Sequence, residues 1–364
     1  MVGDNAVRSL TKGGGSSELK TLRDISPLSG LLSLFSDSHP QVSVDYAAGY
    51  YAGRALYDKV DTLDPVRQET LRKEALEKAK EADLLIFIGG LNKNNRQDCE
   101  NSDRENYDLP YGQSELIREL SHIQPRIIVI TFGGNPYAMP WINEVPALLH
   151  CWYLGSEAGT ALANVLTGKV SPSGKLPVTF ARSLEDYPFA RFGKEAWPGI
   201  TGVKTEPNSA GEIPKSQVYY KEDVFVGYRG FDKYKTQPLF PFGFGLSYTT
   251  FEYSSPVANL SGDAITISIN VRNTGSMTGK ETVQVYVKAP KNKQIEKPVK
   301  ELKAFAKTRE LQPGESQLLQ MEIPVQDLSS WNENTHQWQT DKGTYTILFG
   351  SCSADIREKT VVKL

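Results

Sequence analysis

The sequence predicts an α/β domain with a mostly parallel sheet, followed by an all-β sandwich domain. Between about residues 70 and 180, continuous apolar runs alternate with segments of helical periodicity. Beyond Thr249 the period of the apolar residues changes to two. A segment rich in proline, glycine and aromatic residues separates these two patterns. We therefore expect an α/β domain over 1–180, a structured connector over 181–248 and a β-sandwich over 249–364.

Composition and charge narrow the class of partners. The chain has 364 residues, of which 39% are hydrophobic and 23% charged, values typical of soluble globular proteins. No apolar run approaches the ~18 residues of a membrane-spanning helix, so we expect no membrane partner. Lysine and arginine number 41 against 43 aspartate and glutamate, with no basic block. A nucleic-acid partner is therefore not expected either.

The cysteines and histidines give no sign of a metal site or a disulfide framework. The three cysteines lie far apart and without zinc-ligand spacing, which favours free or buried thiols. The four histidines are equally scattered. We expect neither a metal nor a cofactor.

The α/β domain is built from three helix and strand segments that follow one another. The predicted helices cover 67–82, 113–122 and 157–166, and the predicted strands cover 84–88, 127–132 and 147–152. Continuous apolar strands of this kind imply a parallel sheet covered on both faces. The pairs Gly89-Gly90 and Gly133-Gly134 favour close backbone approach at strand ends, because neither belongs to a dinucleotide-binding fingerprint.

The N-terminal residues lack the pattern of a secretory signal. A Val-Gly-Asp-Asn turn usually follows a buried strand, yet Val2 has none before it in this sequence. We expect the chain to begin within a domain. If Val2 ended a lost strand, the exposed sheet edge would favour self-association.

The loop after the first predicted strand, residues 89–111, is the candidate site. In parallel sheets ligands bind beyond the carboxyl ends of the strands, and this loop is the longest one there. It gathers charged residues at short spacing: Arg96, Asp98, Glu100, Asp103 and Arg104. Neighbouring carboxylates and burial would raise the pKa of one acid, as sugar hydrolysis requires, while Asp103 and Arg104 form a fixed pair. A solvated polar loop is the alternative interpretation.

The connector and the sandwich follow. The aromatic residues of the connector have two interpretations. They either stack on sugar rings or form ordinary packing contacts between domains. The alternating apolar pattern predicts sandwich strands over 265–271, 283–287, 318–323, 344–349 and 360–364.

Seven short motifs, in their order and spacing, resemble the C-terminal two thirds of a glycoside hydrolase family 3 β-glucosidase. The motif around Phe240 is the most specific. The motifs are Gly13-Gly-Gly-Ser-Ser17, Gly90-Leu-Asn92, Glu100-Asn-Ser-Asp-Arg104, Leu109-Pro110, Gly168-Lys-Val-Ser-Pro-Ser-Gly-Lys-Leu-Pro177, Val226-Gly-Tyr-Arg229 and Phe240-Pro-Phe-Gly-Phe-Gly-Leu-Ser-Tyr-Thr-Thr-Phe251.

The resemblance implies an α/β sandwich domain and an immunoglobulin-like, fibronectin type III-like β-sandwich, with an N-terminal barrel outside this chain. It implies a retaining enzyme that hydrolyses terminal β-D-glucosyl or related residues of an oligosaccharide or β-glucoside. The nucleophilic Asp would lie on the barrel and the general acid/base would be Glu100. Asp103 and Arg104 match the family's Glu-Gly-x-Asp-Arg pattern, although Asn101 replaces its glycine. A periplasmic or secreted location is also implied.

Two functions from different classes stay open at this point. In the first, the chain is the acid/base part of a glycosidase and is inactive by itself. In the second, it is a non-catalytic carbohydrate-binding or interaction module. The spacing of Glu100 before Asp103 and Arg104 favours the first, and the sugar, the linkage and the oligomeric state are open in both.

Overall fold

A computed structural model describes residues 1–9, 13–17, 19, 21–54, 64–94, 96–100, 103–208 and 211–364, with the backbone alone for 37–38 and for the part of 203–215 inside these ranges. The chain divides into two compact units, Met1–Lys169 and Val170–Leu364. The finer division at residues 180 and 248 stays a prediction.

Unit 1 contains a parallel sheet of three strands in sequence order: β1 (Leu85–Gly90), β2 (Ile127–Phe132) and β3 (Ala147–His150). The helices are α1 (Pro27–Ser38), α2 (Pro65–Glu81), α3 (Gln113–Ile123) and α4 (Ala158–Leu166). The predicted strand bounds at β2 are confirmed, and α2, α3 and α4 differ from prediction by one or two residues at an end. Helix α1 was not predicted, although Pro27 at its first turn and the Ser26 cap are ordinary start signals.

Helices cover both faces of this sheet, as the continuous apolar strands predicted. Helices α1 and α4 pack together over a core that includes Leu31, Ile88 and Leu162. Gly30 of α1 lies so close to α4 that an added Cβ would be 2.2 Å from the Gly159 carbonyl carbon. The two backbones therefore meet where only glycine fits. Helix α3 contacts α2, β1 and β2.

Val2 lies in the plane of the sheet and is paired on both sides. It forms parallel bridges to Phe87 of β1 and to Ala47. The Val2 N–H donates to the Ile86 carbonyl at 2.9 Å, and the Ala47 N–H donates to the Met1 carbonyl at 3.0 Å. The unpaired edge that the sequence led us to expect at Val2 is thus occupied by the chain around Ala47. This pairing removes the physical reason that we gave for self-association, which itself stays untested.

The first two strands of unit 2, β4 (Ile200–Asn208) and β5 (Gly211–Gln217), pair as an antiparallel hairpin and are followed by α5 (Tyr228–Tyr234). Aromatic residues outside this hairpin pack on one another: Tyr187 stacks on Phe189 at 5.5 Å, and Tyr228 stacks on Phe242 at 5.0 Å. These contacts are aromatic packing within unit 2, and both interpretations of the aromatic stretch stay predictions.

The rest of unit 2 is a β-sandwich, as predicted. One sheet has the order β10-β7-β6 and the other β14-β13-β8-β9. A short hairpin of β11 and β12 lies between β10 and β13 in sequence. The strands are β6 (Phe251–Ser261), β7 (Ala264–Asn273), β8 (Thr282–Lys288), β9 (Glu301–Lys307), β10 (Ser316–Pro324), β11 (Ser330–Asn332), β12 (Gln337–Gln339), β13 (Thr344–Cys352) and β14 (Asp355–Lys363).

Alternating residues of the two sheets form the sandwich core. Ile269, Val285, Ile347 and Phe349 are fully buried there. Strands β6 and β9 were not predicted, because β6 has only a short apolar alternation and β9 carries charged residues at its ends.

Candidate functional site at the strand ends of unit 1

The loops after β1, β2 and β3 leave the sheet at its carboxyl edge. Gly90 permits the first of these exits, because its φ of 101° is a left-handed value and an added Cβ would lie 2.1 Å from the Phe132 carbonyl oxygen. The Leu91 N–H then donates to that same oxygen at 2.8 Å. The β1 loop is thereby held against the end of β2, which confirms the close approach predicted for the glycine pair.

Asp98 joins all three strand-end loops. Its carboxylate accepts hydrogen bonds from the Gly134 N–H at 2.5 Å and from the Asn135 side chain, both in the loop after β2. The Tyr153 hydroxyl, from the loop after β3, donates to it at 2.7 Å. Charge-assisted hydrogen bonds of this kind are strong. The three donors around its carboxylate therefore give Asp98 a structural role in this loop.

The contact with Asp98 also affects the pKa of Tyr153. Burial raises the pKa of its hydroxyl, and the Asp98 charge beside it raises the pKa further. Tyr153 thus stays protonated and remains a hydrogen-bond donor to Asp98 over the ordinary pH range.

Glu100 lies two residues further along the β1 loop and is exposed to solvent. A glycine-rich segment, residues 13–17, holds it from one side: the Ser16 N–H donates to Glu100 Oε2 at 2.6 Å, and the Ser16 hydroxyl donates to Oε1. This segment pairs with the loop through a parallel bridge between Gly14 and Cys99. An added Cβ at Gly15 would lie 2.6 Å from Glu100 Oε2, so glycine is required for this approach.

The hydrogen bonds from Ser16 favour the ionised form of Glu100. The side-chain bond, and then the backbone bond, lower the pKa of the carboxyl below its ordinary value, because both favour the ionised form. The sequence led us to expect an acid in this loop whose pKa is raised by burial and neighbouring carboxylates. For Glu100 that expectation is wrong in this chain, since its carboxyl is exposed and accepts two hydrogen bonds.

The remaining charged residues of the loop take separate positions. Arg96 is exposed and pairs with Glu105. Asp103 is also exposed, whereas Arg104 is half-buried and donates to the Pro136 carbonyl at 2.6 Å in the loop after β2. Arg104 thus helps to hold two strand-end loops together, as Asp98 does. Arg96 and Arg104 line a cleft of about 540 Å³ that extends to the start of α3.

Behind the loops, His150 at the end of β3 is buried. Its Nδ1 lies 3.2 Å from both the Thr131 hydroxyl and the Tyr137 hydroxyl. Burial lowers the pKa of the imidazole to about 4. The ring is therefore neutral at pH 7 and serves packing and hydrogen bonding beneath the site.

Two properties of the described residues concern metal binding and membrane insertion. Over those parts of the chain, no group of three or more His, Cys, Asp or Glu side chains is placed to hold a metal ion. Within the same described ranges, none of the helices has both the length and the apolar character needed to cross a membrane.

Sequence reasoning missed Ser16, Asn135 and Tyr153 as partners of the acidic loop. The glycine-rich segment is recognisable as a motif, but its contact with Glu100 is not predictable from it. Ser16 and Glu100 are 84 residues apart, and no periodicity links them. The polar residues after β2 and β3 were detectable in principle, because the carboxyl ends of parallel strands share one edge.

Two family patterns match this sequence. The C-terminal domain of glycosyl hydrolase family 3 matches residues 1–248, and a fibronectin type III-like domain matches residues 281–353. Together they cover both the parallel sheet with its strand-end loops and most of the β-sandwich.

Curated relatives are β-glucosidases. A β-glucosidase of Bacteroides ovatus is 43% identical over 361 residues, which is 98% of this chain and 46% of the relative. One from Kluyveromyces marxianus is 37% identical over 91% of this chain and 35% of its own length. The chain thus spans about half the length, or less, of these relatives.

Solved structures agree with these relatives. A family 3 β-glucosidase from Bifidobacterium adolescentis is 33% identical, with a TM-score of 0.83 over 100% of this chain and 48% of that one. β-Glucosidase 3B from Thermotoga neapolitana, solved with glucose, is 32% identical with a TM-score of 0.79 over 100% and 49%.

Proposed function

Because the chain belongs to glycosyl hydrolase family 3, we propose that it is the C-terminal part of a retaining β-glucosidase and supplies its general acid/base, Glu100. The proposed substrates are oligosaccharides or β-glucosides with a terminal, non-reducing β-D-glucosyl residue. The names of the relatives support this substrate class. The nucleophilic carboxylate would come from the part of the enzyme that corresponds to the remaining length of those relatives.

One observation carries the assignment of Glu100. Its carboxylate projects into solvent at the carboxyl edge of the parallel sheet, while the backbone of its loop is held by Asp98 and Gly14. A catalytic acid needs both features, since it must reach the substrate and yet be positioned before the substrate arrives. Asp98 is the weaker candidate, because three donors already surround its oxygens.

The proposed reaction has two steps. In the first, the Glu100 carboxyl gives its proton to the glycosidic oxygen while the external carboxylate attacks the anomeric carbon, so the leaving alcohol departs neutral. In the second, the Glu100 carboxylate takes a proton from a water molecule that attacks the glycosyl ester. Retaining enzymes hold the two carboxyl groups about 5 to 5.5 Å apart.

The low pKa of Glu100 in this chain suits the second step and opposes the first. Protonation before the first step requires an environment that raises the pKa. A second carboxylate nearby and exclusion of water by the bound sugar both act in that direction. We therefore propose that Glu100 becomes an acid only when the substrate and the second carboxylate are in place.

The isolated chain gives the first test. Purified protein should show no appreciable β-glucosidase activity on an aryl β-glucoside, because general acid catalysis without a nucleophile contributes only ~10² to 10⁴-fold. Turnover that is abolished by Glu100→Gln would contradict this and would show that the chain carries both carboxyl groups.

A longer protein, in which the N-terminal half of the Bacteroides ovatus relative precedes this chain, gives the second test. Glu100→Ala should slow glucosides with poor leaving groups by about 10² to 10⁴-fold and activated aryl glucosides far less. Azide should restore turnover and give β-glucosyl azide. Glu105→Ala removes another exposed carboxylate of the same loop and should change neither rate. If Asp98→Ala showed the leaving-group pattern instead, Glu100 would not be the acid.

A further inference from the structure

Two exposed tryptophans lie side by side on the hairpin of β11 and β12 in unit 2. Trp331 and Trp338 are directly opposite each other in the strand register, and their exposed fractions are 44% and 71%. Their ring centroids are 5.7 Å apart at an interplanar angle of 67°. Exposed indoles in contact with each other are uncommon on a protein surface and usually mark a binding site.

The hairpin that carries the two rings is polar. The twelve residues of 329–340 include, besides the tryptophans, serine, threonine, asparagine and glutamine, one glutamate and one histidine. They contain no aliphatic residue, no lysine and no arginine. The Ser329 and Thr340 hydroxyls, two positions away in the strands, lie on the tryptophans' side of the hairpin, and the His336 ring lies 6.3 Å from that of Trp331.

Hydrogen bonds hold the hairpin in shape without using the indoles. The side chain of Asn332, on the opposite face from the tryptophans, accepts from the Asn334 N–H at 3.0 Å and donates to Gln339 Oε1 at 3.0 Å. The Ser329 and Thr340 hydroxyl oxygens are 2.7 Å apart at the base of the hairpin. A platform that is ordered in advance loses little conformational freedom when a ligand binds.

The chemistry of this surface selects its ligand. A membrane surface or a polyanion would need cationic residues, and an apolar protein segment would need aliphatic contacts, but the hairpin offers neither kind. A sugar ring presents an apolar C–H face to an indole and hydroxyls to polar groups beside it. Neutral polysaccharide is therefore the occupant that matches both parts of this surface.

We propose that the β11–β12 hairpin is a second carbohydrate-binding site, in which Trp338 stacks on one sugar ring of a neutral β-glucan and Trp331 contacts the next. The choice of β-glucan rests on the proposed function, whereas the site itself rests on the hairpin. The site binds the chain to polymer and takes no part in catalysis.

Affinity electrophoresis of the full 364-residue chain in gels containing a soluble mixed-linkage β-glucan tests the proposal. Migration of the protein should be retarded. Trp338→Ala should weaken binding about tenfold, because a stacked aromatic contact contributes on this scale, and Trp338→Phe should restore part of it. Phe305→Ala removes an aromatic ring that is 68% exposed on β9 of the same sandwich and should leave the retardation unchanged.

Three results would overturn the proposal: no retardation of the unmodified chain, equal retardation of Trp338→Ala, or retardation that is lost in Glu100→Gln. The last result would place binding at the strand-end loops of unit 1. Equal binding to gels containing α-linked dextran would refute the β-glucan preference. Since none of these measurements involves turnover, they can fail while the leaving-group experiment on Glu100 succeeds, and the reverse.

Discussion

The strand-end edge of unit 1 and the core of the β-sandwich are held together by different physics. The sandwich core consists of apolar residues at alternate positions, such as Ile269 and Phe349, which are buried by their neighbours on both sheets. The strand-end edge depends on a few polar contacts that join distant segments, with Asp98 and Ser16 as the main partners. A core tolerates apolar substitutions of conserved volume best, whereas these polar contacts depend on the identity of single atoms.

Truncation of the sandwich core should have the largest effect on stability. Phe349→Ala leaves a cavity at a fully buried position of β13 and should lower the free energy of unfolding by about 3 to 5 kcal/mol. Urea denaturation measures this change. Phe305→Ala, at an exposed position of β9, is the matched control and should stay within about 0.5 kcal/mol of the unmodified chain. Equal effects of the two variants would contradict the assignment of the core.

Acid should destabilise unit 1 through His150. Its folded-state pKa of about 4 lies below the ordinary 6.5, so below pH 6.5 the unfolded chain binds a proton that the folded chain does not. The contribution of neutral His150 to the free energy of unfolding is therefore fully present above pH 6.5. This contribution decreases by up to about 3 kcal/mol as the pH falls toward 4. Denaturation of the unmodified chain and of His150→Gln at several pH values measures the slope. A slope that persists unchanged in the variant would refute this role.

Substitution of Asp98 should reduce stability less than substitution of the sandwich core, and its effect should be confined to the strand-end loops. Asp98→Asn leaves one acceptor oxygen for three donors and should cost about 1 to 3 kcal/mol. Hydrogen exchange of the Gly134 amide and proteolysis within the β1 loop should accelerate. Asp103→Asn makes the same chemical change at an exposed position of that loop and should cost about 0.5 kcal/mol or less. If both variants behaved alike, Asp98 would not hold the strand-end loops together.

The same contrast explains what the sequence could predict. Strand β2 and the alternation in β7 were predictable because burial imposes a period on neighbouring residues. The contact of Ser16 with Glu100 was not, since it depends on how a glycine-rich segment folds back across the loop. The position of Glu100 at the ligand edge followed from the topology. Its lowered pKa did not, because that property depends on two hydrogen bonds from a distant residue.

Strand β9 is an edge strand of the four-stranded sheet. Another polypeptide strand is able to form backbone hydrogen bonds with such an edge. A register shift at Lys303 interrupts the regular pairing of β9 with β8, and three of the seven residues of this strand are charged: Glu301, Lys303 and Lys307. An identical strand that approached in parallel register would bring lysine against lysine. Charges placed this way protect a sandwich from fibrillar aggregation. Replacing both lysines would therefore endanger solubility long before it affected folding.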